Sequence, residues 1–203
     1  MIVSKYRDAF QALRNVESEF KQKLGLLQII SRYFNDRGAK IPIVVGGEAV
    51  EIYTRGGFTS HDIDLKSSMD VLVDCLEKEL GFRRVQHAFN SVDPPFAIEW
   101  QGAALEEGRE GEDRVRIIQV GDDRIVLIGF EDLIVDRLNA AKFSQHAESY
   151  EQAKELYLVT MLGTLSFDEE YALLKAKQDD VLDYYQKMVG EVRASYENDA
   201  LRK

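Results

Sequence analysis

A strand, a double glycine, a short helix, a second double glycine and another strand follow one another between residues 41 and 65. Residues 41–45 (IPIVV) form a short β-branched run that is typical of a buried strand, and Gly46-Gly47 ends it. Residues 48–55 have the apolar pattern of a short helix, which Gly56-Gly57 interrupts. Residues 58–65 then predict a second strand. This succession limits the chain to folds in which short strands and helices alternate around one sheet.

Two aspartates mark the second strand. Asp62 and Asp64 alternate with Ile63 and Leu65, so both carboxylates project from one face of the strand. Two anions so close together repel each other, and burying them without a partner is costly. A divalent cation resolves both problems, and oxygen-only ligands favour Mg²⁺ or Mn²⁺. The alternative is a pair that caps loops or faces solvent.

The first double glycine lies where a strand meets the N-terminus of a helix. Backbone N–H groups and the helix dipole can hold a phosphate at such a place, and the missing side chains permit close approach. Gly46-Gly47 is therefore a candidate phosphate site, although a tight turn without a ligand would also use glycines. A phosphate site beside a carboxylate pair is what metal-assisted nucleotidyl transfer requires.

The rest of the chain predicts an α+β, or mixed α/β, protein with a mixed sheet core and helices before and after it. We expect a helical arm at 1–40 that packs on the core, an α/β core at 41–128 and a helical region at 129–203. Together these would make a single compact domain. In the arm, Gly25 divides the helical pattern; in the core, residues 82–89 and 95–101 predict strands, and residues 114–120 and 124–128 predict a hairpin.

Composition excludes several classes of protein. The formal net charge of −10 disfavours binding to bulk nucleic acid, which needs a basic surface. The apolar runs are too short to span a bilayer, so no membrane partner is expected. The one cysteine, Cys75, fits a reducing cytoplasm, and its place in an apolar helical segment favours packing over nucleophilic chemistry.

The central motif resembles the signature of the nucleotidyltransferase fold superfamily, also called the polymerase-beta-like fold. The residues that carry the resemblance are Gly46-Gly47, Ala49 and residues 59–65 (TSHDIDL). Within the superfamily they resemble its minimal prokaryotic branch, near the AbiEii-type toxin nucleotidyltransferases. Many active members have Gly-Ser where this chain has Gly46-Gly47.

Two later stretches extend the resemblance to about residue 160. Residues 96–100 (FAIEW) resemble the strand that carries the third carboxylate, here Glu99, and residues 129–138 resemble the helix after the sheet. Asp62, Asp64 and Glu99 are then the implied catalytic and metal-binding residues. The implied nucleotide-binding residues are Gly46, Gly47, Ser60, Arg55 and Lys142. An exposed strand position for Glu99 and an exposed helix end for Arg55 are the alternatives.

The resemblance implies transfer of a nucleoside monophosphate from a nucleoside triphosphate to an acceptor hydroxyl, with Mg²⁺ or Mn²⁺ as cofactor. The acceptor would be a protein, a small molecule or an RNA end. Alternatively, the chain is a catalytically degenerate protein of the same fold that acts as a nucleotide-binding or toxin–antitoxin-type interaction protein. A third hypothesis is a helical interaction module, with a homodimer formed through the helical regions.

Overall fold

The computed structural model describes residues 4–163 and 165–200. In that part of the chain, seven strands form one mixed sheet. The strands are β1 Ile43–Val45, β2 Ile63–Lys66, β3 Arg83–Val85, β4 Ala88–Val92, β5 Pro95–Trp100, β6 Arg116–Val120 and β7 Asp123–Leu127. Their order in the sheet is β3-β4-β5-β2-β1-β7-β6. The predicted mixed α/β class is confirmed.

The helices precede, interrupt and follow the strands. They are α1 Lys5–Ala12, α2 Glu19–Asn35, α3 Gly46–Tyr53, α4 Met69–Val73, α5 Arg109–Arg114, α6 Phe130–Phe143, α7 Ala147–Met161, α8 Glu169–Gln178 and α9 Leu182–Ala200. A 3-10 turn, Leu13–Asn15, follows α1, and a π-helical segment, Asp74–Leu80, continues α4. None of the helices in the described ranges combines the length and the apolar character that crossing a membrane requires.

The chain divides into two compact units. The first comprises Met1–Ala49 and Thr59–Ile128, and the second comprises Val50–Phe58 and Gly129–Lys203. The first unit contains all seven strands. The second contains α6 to α9 and the later part of α3, and within it α6 packs against α7 and α8.

Strand β2 occupies the centre of the sheet and carries the Asp-x-Asp motif. It pairs antiparallel with β1 on one side and parallel with β5 on the other. The register places Asp64 opposite Val45 in β1 and opposite Glu99 in β5. A strand with partners on both sides is held along its whole length, so its side chains project from a well-defined backbone.

Helix α2 packs against β7 within the first unit. Leu26, Ile30 and Phe34 recur at four-residue steps and are almost fully buried, as expected of an amphipathic helix on a sheet. The predicted break at Gly25 is wrong. The helical pattern breaks instead before Ser18, whose side chain accepts a hydrogen bond from the Lys21 N–H and caps α2.

Gly25 has a packing role inside α2. A Cβ at this position would lie 2.6 Å from the Cδ2 atom of Leu13, so the glycine lets the preceding turn approach the helix closely. The sequence shows the glycine but not the neighbour that requires it.

Two of the predicted strands differ from the structure. The run predicted at 82–89 is not one strand: it contains β3, a turn and the start of β4, because Gln86 adopts a positive φ of 56° and reverses the chain. The strand predicted at 58–65 begins only at Ile63, and residues 58–62 form an irregular loop. The hairpin predicted between 114 and 128 is present as β6 and β7.

Candidate metal and nucleotide site

Three carboxylates converge at the centre of the sheet. Asp62 immediately precedes β2, Asp64 lies in β2, and Glu99 lies opposite Asp64 on the neighbouring strand β5. One oxygen from each carboxylate can be chosen so that all three lie within 4.8 Å of one another. Asp62 and Asp64 are partly exposed and Glu99 is exposed, so the group is open to solvent. Three convergent carboxylate oxygens suit a hard divalent cation such as Mg²⁺ or Mn²⁺.

Gly46 brings the start of α3 directly against one of these carboxylates. Its φ is +62°, which is a conformation that side-chain-bearing residues seldom adopt. A Cβ at this position would lie 2.0 Å from Asp64 Oδ2 and 2.8 Å from Asp64 Cγ. The close approach is therefore possible only for glycine. It places the beginning of a helix beside the acidic group, as a site for phosphate and metal together requires.

Gly47 makes a similar close approach to Ser60. A Cβ on Gly47 would lie 2.8 Å from Ser60 Oγ, so any side chain at position 47 would require the Ser60 hydroxyl to move. The Ser60 hydroxyl donates a hydrogen bond to the main-chain oxygen of Asp62 at 2.8 Å. Ser60 thus holds the loop just before β2 in place through this hydrogen bond, and its hydroxyl lies beside the glycine pair.

The sequence reasoning missed Gln101. Its side-chain amide donates to Asp64 Oδ1 at 2.7 Å and to Glu99 Oε2 at 3.2 Å, so it bridges two of the three carboxylates. The signal was present, because Gln101 lies two residues after Glu99 and alternation puts both on the same side of an extended segment. An amide donor between two like charges reduces their repulsion and orients both groups.

Lys23 was missed as well. It lies in α2, is 3% exposed, and forms an ion pair of 3.0 Å with Glu48 at the start of α3. Its position was the signal: Lys23 comes three residues after Phe20 and four before Leu27, so a charged residue occupies the apolar face of the helix.

Arg55 and Lys142 both belong to the second unit. Arg55 is exposed, has a φ of 54°, and donates its backbone N–H to Ile52 at the end of α3. Lys142, in the last turn of α6, donates to Asp183 Oδ1 at 3.1 Å and to the main-chain oxygen of Asp180. Its partners raise the pKa of Lys142, the Asp183 hydrogen bond most of all. A nucleotide contact by either residue stays a prediction.

Cys75 is buried, and burial raises the pKa of its thiol. A nucleophilic cysteine needs the opposite shift, because the thiolate is the reactive form. Burial therefore favours packing over nucleophilic chemistry at Cys75, as its apolar helical segment predicts.

A mixed sheet with acidic residues on its central strand, beside a glycine pair that opens a helix, defines a nucleotidyltransferase-like fold. The chain is similar to the crystal structure of ANT(2'')-Ia in complex with adenylyl-2''-tobramycin. The TM-score is 0.52 at 18% sequence identity, over 78% of this chain and 97% of that chain. A likeness at this level of identity concerns the fold.

Two further solved structures are similar at a TM-score of 0.47. One is an antigenic nucleotidyltransferase-like protein from Paracoccidioides brasiliensis, at 11% identity over 73% of this chain and 75% of that chain. The other is the solution structure of the antibiotic-resistance factor ANT(2'')-Ia, at 16% identity over 78% of this chain and 97% of that chain. No family model and no curated protein matches the chain.

Proposed function

We propose that this protein is a nucleotidyltransferase that uses Mg²⁺ or Mn²⁺. It would transfer the nucleoside monophosphate of a nucleoside triphosphate to an acceptor hydroxyl and release pyrophosphate. The observation that carries the proposal is the convergence of Asp62, Asp64 and Glu99 against the Gly46 backbone. The likeness in fold to ANT(2'')-Ia supports it.

Each group in the site has a role in this proposal. Asp62, Asp64 and Glu99 would hold the divalent cation, and Gln101 would keep Asp64 and Glu99 in position. When bound, the cation supplies charge neutralisation for the phosphates of the nucleotide. Glu99 is the most exposed of the three acids and could alternatively accept the proton of the acceptor hydroxyl.

The glycine pair would bind the phosphates. Gly46 and Gly47 open α3, so their backbone N–H groups lie at the positive end of a helix and carry no side chain that would block access. Ser60, whose Oγ would lie 2.8 Å from a Cβ on Gly47, supplies the one hydroxyl among the predicted nucleotide contacts. In this arrangement the phosphates are held by backbone groups and the metal by side chains.

For the acceptor we propose a small molecule that bears a hydroxyl group. The net charge of −10 works against a polyanionic RNA acceptor and favours a neutral or cationic one. The structure of ANT(2'')-Ia contains adenylyl-2''-tobramycin, a nucleotidylated aminoglycoside. Aminoglycosides are therefore the first acceptors to test, and a protein hydroxyl is the second class.

The remaining alternative is a protein of the same fold without transfer activity. It would bind nucleotide or take part in a toxin–antitoxin-type interaction, as the resemblance to the AbiEii-type branch implies. The glycine pair in place of Gly-Ser is the feature that favours it. A homodimer through helical segments and a cytoplasmic location are further expectations that belong to this proposal.

The test is nucleotide transfer with purified protein. Each nucleoside triphosphate, labelled at the α-phosphate, is incubated with Mg²⁺ or Mn²⁺ and a panel of aminoglycosides, and labelled product and pyrophosphate are measured. We expect transfer from at least one nucleotide, lost in Asp62→Asn and Asp64→Asn. A rise in the unfolding midpoint with metal and nucleotide but no transfer would favour the degenerate alternative. No binding and no transfer would refute both.

A further inference from the structure

A buried ion pair lies next to the candidate site but outside the carboxylate group. The side chains of Lys23 in α2 and Glu48 in α3 are 4% and 0% exposed, and their charged atoms are 3.0 Å apart. Removing two charges from water is costly, and their mutual attraction does little more than offset that cost. Such a pair adds little stability compared with apolar residues of the same size, so its position calls for a separate explanation.

The ammonium of Lys23 contacts two segments that shape the site. It pairs with Glu48 Oε2 and donates to the main-chain oxygen of Ser60 at 2.9 Å. Glu48 directly follows the glycine pair, and Ser60 is two residues before Asp62. One cation therefore joins the start of α3, where the phosphates would bind, to the loop that leads into β2.

The connection continues from Ser60 to the first metal-ligand candidate. The Ser60 hydroxyl donates to the Asp62 main-chain oxygen at 2.8 Å and lies 3.5 Å from Asp62 Oδ1. Because Asp62 precedes β2 and is not in its ladder, strand pairing does not fix it as it fixes Asp64. The loop contacts must hold Asp62 instead, and Lys23 holds that loop through its hydrogen bond to the Ser60 main-chain oxygen.

Helix α2 has contacts with the sheet that do not involve Lys23. The same helix forms an ion pair between Arg32 and Asp123 at the end of the hairpin, and it buries Leu26, Ile30 and Phe34. The contact at Lys23 therefore has a more local consequence, which is the spacing between the glycine pair and the Asp62 loop.

We propose that Lys23 is a positioning residue for the metal and phosphate site. By holding Glu48 and the Ser60 carbonyl at once, it fixes the distance between the helix start and the loop, and thereby the place of Asp62. The inference rests on the proposed function in so far as the three carboxylates are a metal site. It assigns a role to the N-terminal arm, which the motif does not include.

The experiment compares full-length variants by Mn²⁺ binding alone, followed by electron paramagnetic resonance, and by amide hydrogen exchange of residues 60–62. The double variant Lys23→Met/Glu48→Met removes both charges of the ion pair together, so neither is left buried without the other. We expect its Mn²⁺ dissociation constant to rise about 10- to 100-fold, as for residues that orient metal ligands. Exchange in residues 60–62 should become faster while β2 stays protected.

Arg32→Met is the matched control, since it removes a cation in the last turn of the same helix, where it is paired with Asp123. It should lower the unfolding midpoint without changing Mn²⁺ binding or exchange in residues 60–62. If both quantities also stay at wild-type values in the double variant, the positioning role is refuted. If they change equally in Arg32→Met, Lys23 acts only through general stability, and the inference fails.

Two further outcomes separate this inference from the proposed function. If wild-type protein binds no Mn²⁺, the proposed function fails, and hydrogen exchange of residues 60–62 alone decides the role of Lys23. If the double variant does not fold, Glu48→Gln takes its place, because it weakens the link between Lys23 and the start of α3 while its amide oxygen can still accept from Lys23. Its Mn²⁺ dissociation constant should then rise and exchange in residues 60–62 should become faster, and wild-type values of both would overturn the assignment to Lys23.

Discussion

Two groups of acidic residues, one in each unit, have opposite surroundings. In the second unit, Glu131 and Asp132 are each 1% exposed, and each accepts a hydrogen bond from a separate donor. Those donors are the Asp168 N–H at 2.8 Å and the Tyr171 hydroxyl at 2.6 Å. In the first unit, Asp62, Asp64 and Glu99 face one another, and a single amide bridges two of them.

The difference teaches how a structural carboxylate is distinguished from one that serves a ligand. A structural carboxylate is buried among its own donors and stabilises the fold at neutral pH. A ligand carboxylate is placed beside other carboxylates, where repulsion lowers stability until a cation binds. Substitutions in the two groups should therefore have opposite effects on stability and on metal binding.

The largest effect is expected for Asp64→Asn, which acts on the carboxylate that touches Gly46. Loss of a direct ligand should reduce Mn²⁺ affinity and any nucleotide transfer by about 10²-fold or more. Without metal, the variant should unfold at a higher temperature than wild type, because one of three mutually repelling charges has gone. Thermal unfolding with and without Mn²⁺ measures the metal affinity and the stability without metal. A midpoint below that of wild type without metal would contradict the expected repulsion among the three carboxylates.

Gly46→Ala should come next. The new Cβ would lie 2.0 Å from Asp64 Oδ2, so the carboxylate must move, and the φ of +62° adds a cost of roughly 1–2 kcal/mol. Gly38→Ala is the control, because Gly38 has a φ of +64° and a Cβ there would meet nothing within 4 Å. Both variants should lose stability, but only Gly46→Ala should lose Mn²⁺ binding. Equal Mn²⁺ binding in the two would show that the close approach is unimportant.

Gln101→Ala removes the amide that donates to two of the three site carboxylates, Asp64 and Glu99. Without the bridging amide, Asp64 and Glu99 lose a common partner, and Mn²⁺ affinity should fall by about 10-fold. Gln101 is exposed, so the fold should be unaffected, which unfolding by denaturant can verify. Unchanged Mn²⁺ titration curves would show that Gln101 does not position the carboxylates for metal binding.

Tyr171→Phe addresses the second unit. It deprives the buried Asp132 carboxylate of its hydroxyl donor, so the free energy of unfolding should fall by about 1–3 kcal/mol. Mn²⁺ binding in the remaining folded protein should equal that of wild type. Urea unfolding gives the first quantity and a Mn²⁺ titration the second; a loss of metal affinity would mean that the two acidic groups are coupled.

The smallest effect concerns the pH dependence of an exposed carboxylate in the first unit. Hydrogen bonds from Lys5 and then Tyr6 lower the pKa of Asp36 in the folded state. A carboxyl group with a lowered folded pKa stabilises the protein above its unfolded pKa, and this contribution is lost as the pH falls from about 4 downward. Asp36→Asn should thus slightly lower the unfolding midpoint at pH 7 and leave it unchanged in strong acid.

Sequence patterns predicted the parts of this molecule that depend on neighbours along the chain. Alternation in residues 62–65 predicted Asp62 and Asp64 on one side of the chain, and their carboxylates do converge, although β2 begins only at Ile63. The glycine pair marked the start of α3. The fold class followed from the order of strands and helices. These features are local, because a period of two or a helix start is set within a few residues.

Features that depend on contacts across the fold were missed or misplaced. The sequence does not show Leu13 packed against Gly25, so the glycine predicts a helix break that the structure lacks. The turn at Gln86 has a positive φ without a glycine at that position, so the sequence does not indicate it. Lys23 meets Ser60 across 37 positions of chain, a pairing that no local pattern encodes.

Gly46 has a consequence for how this protein can evolve. Every other amino acid carries a Cβ, and a Cβ there would collide with Asp64. In a saturation mutagenesis experiment with selection for activity, position 46 should thus tolerate as few replacements as the aspartates, although glycine contributes no functional group. A residue without any chemistry of its own would be among the least variable in the chain.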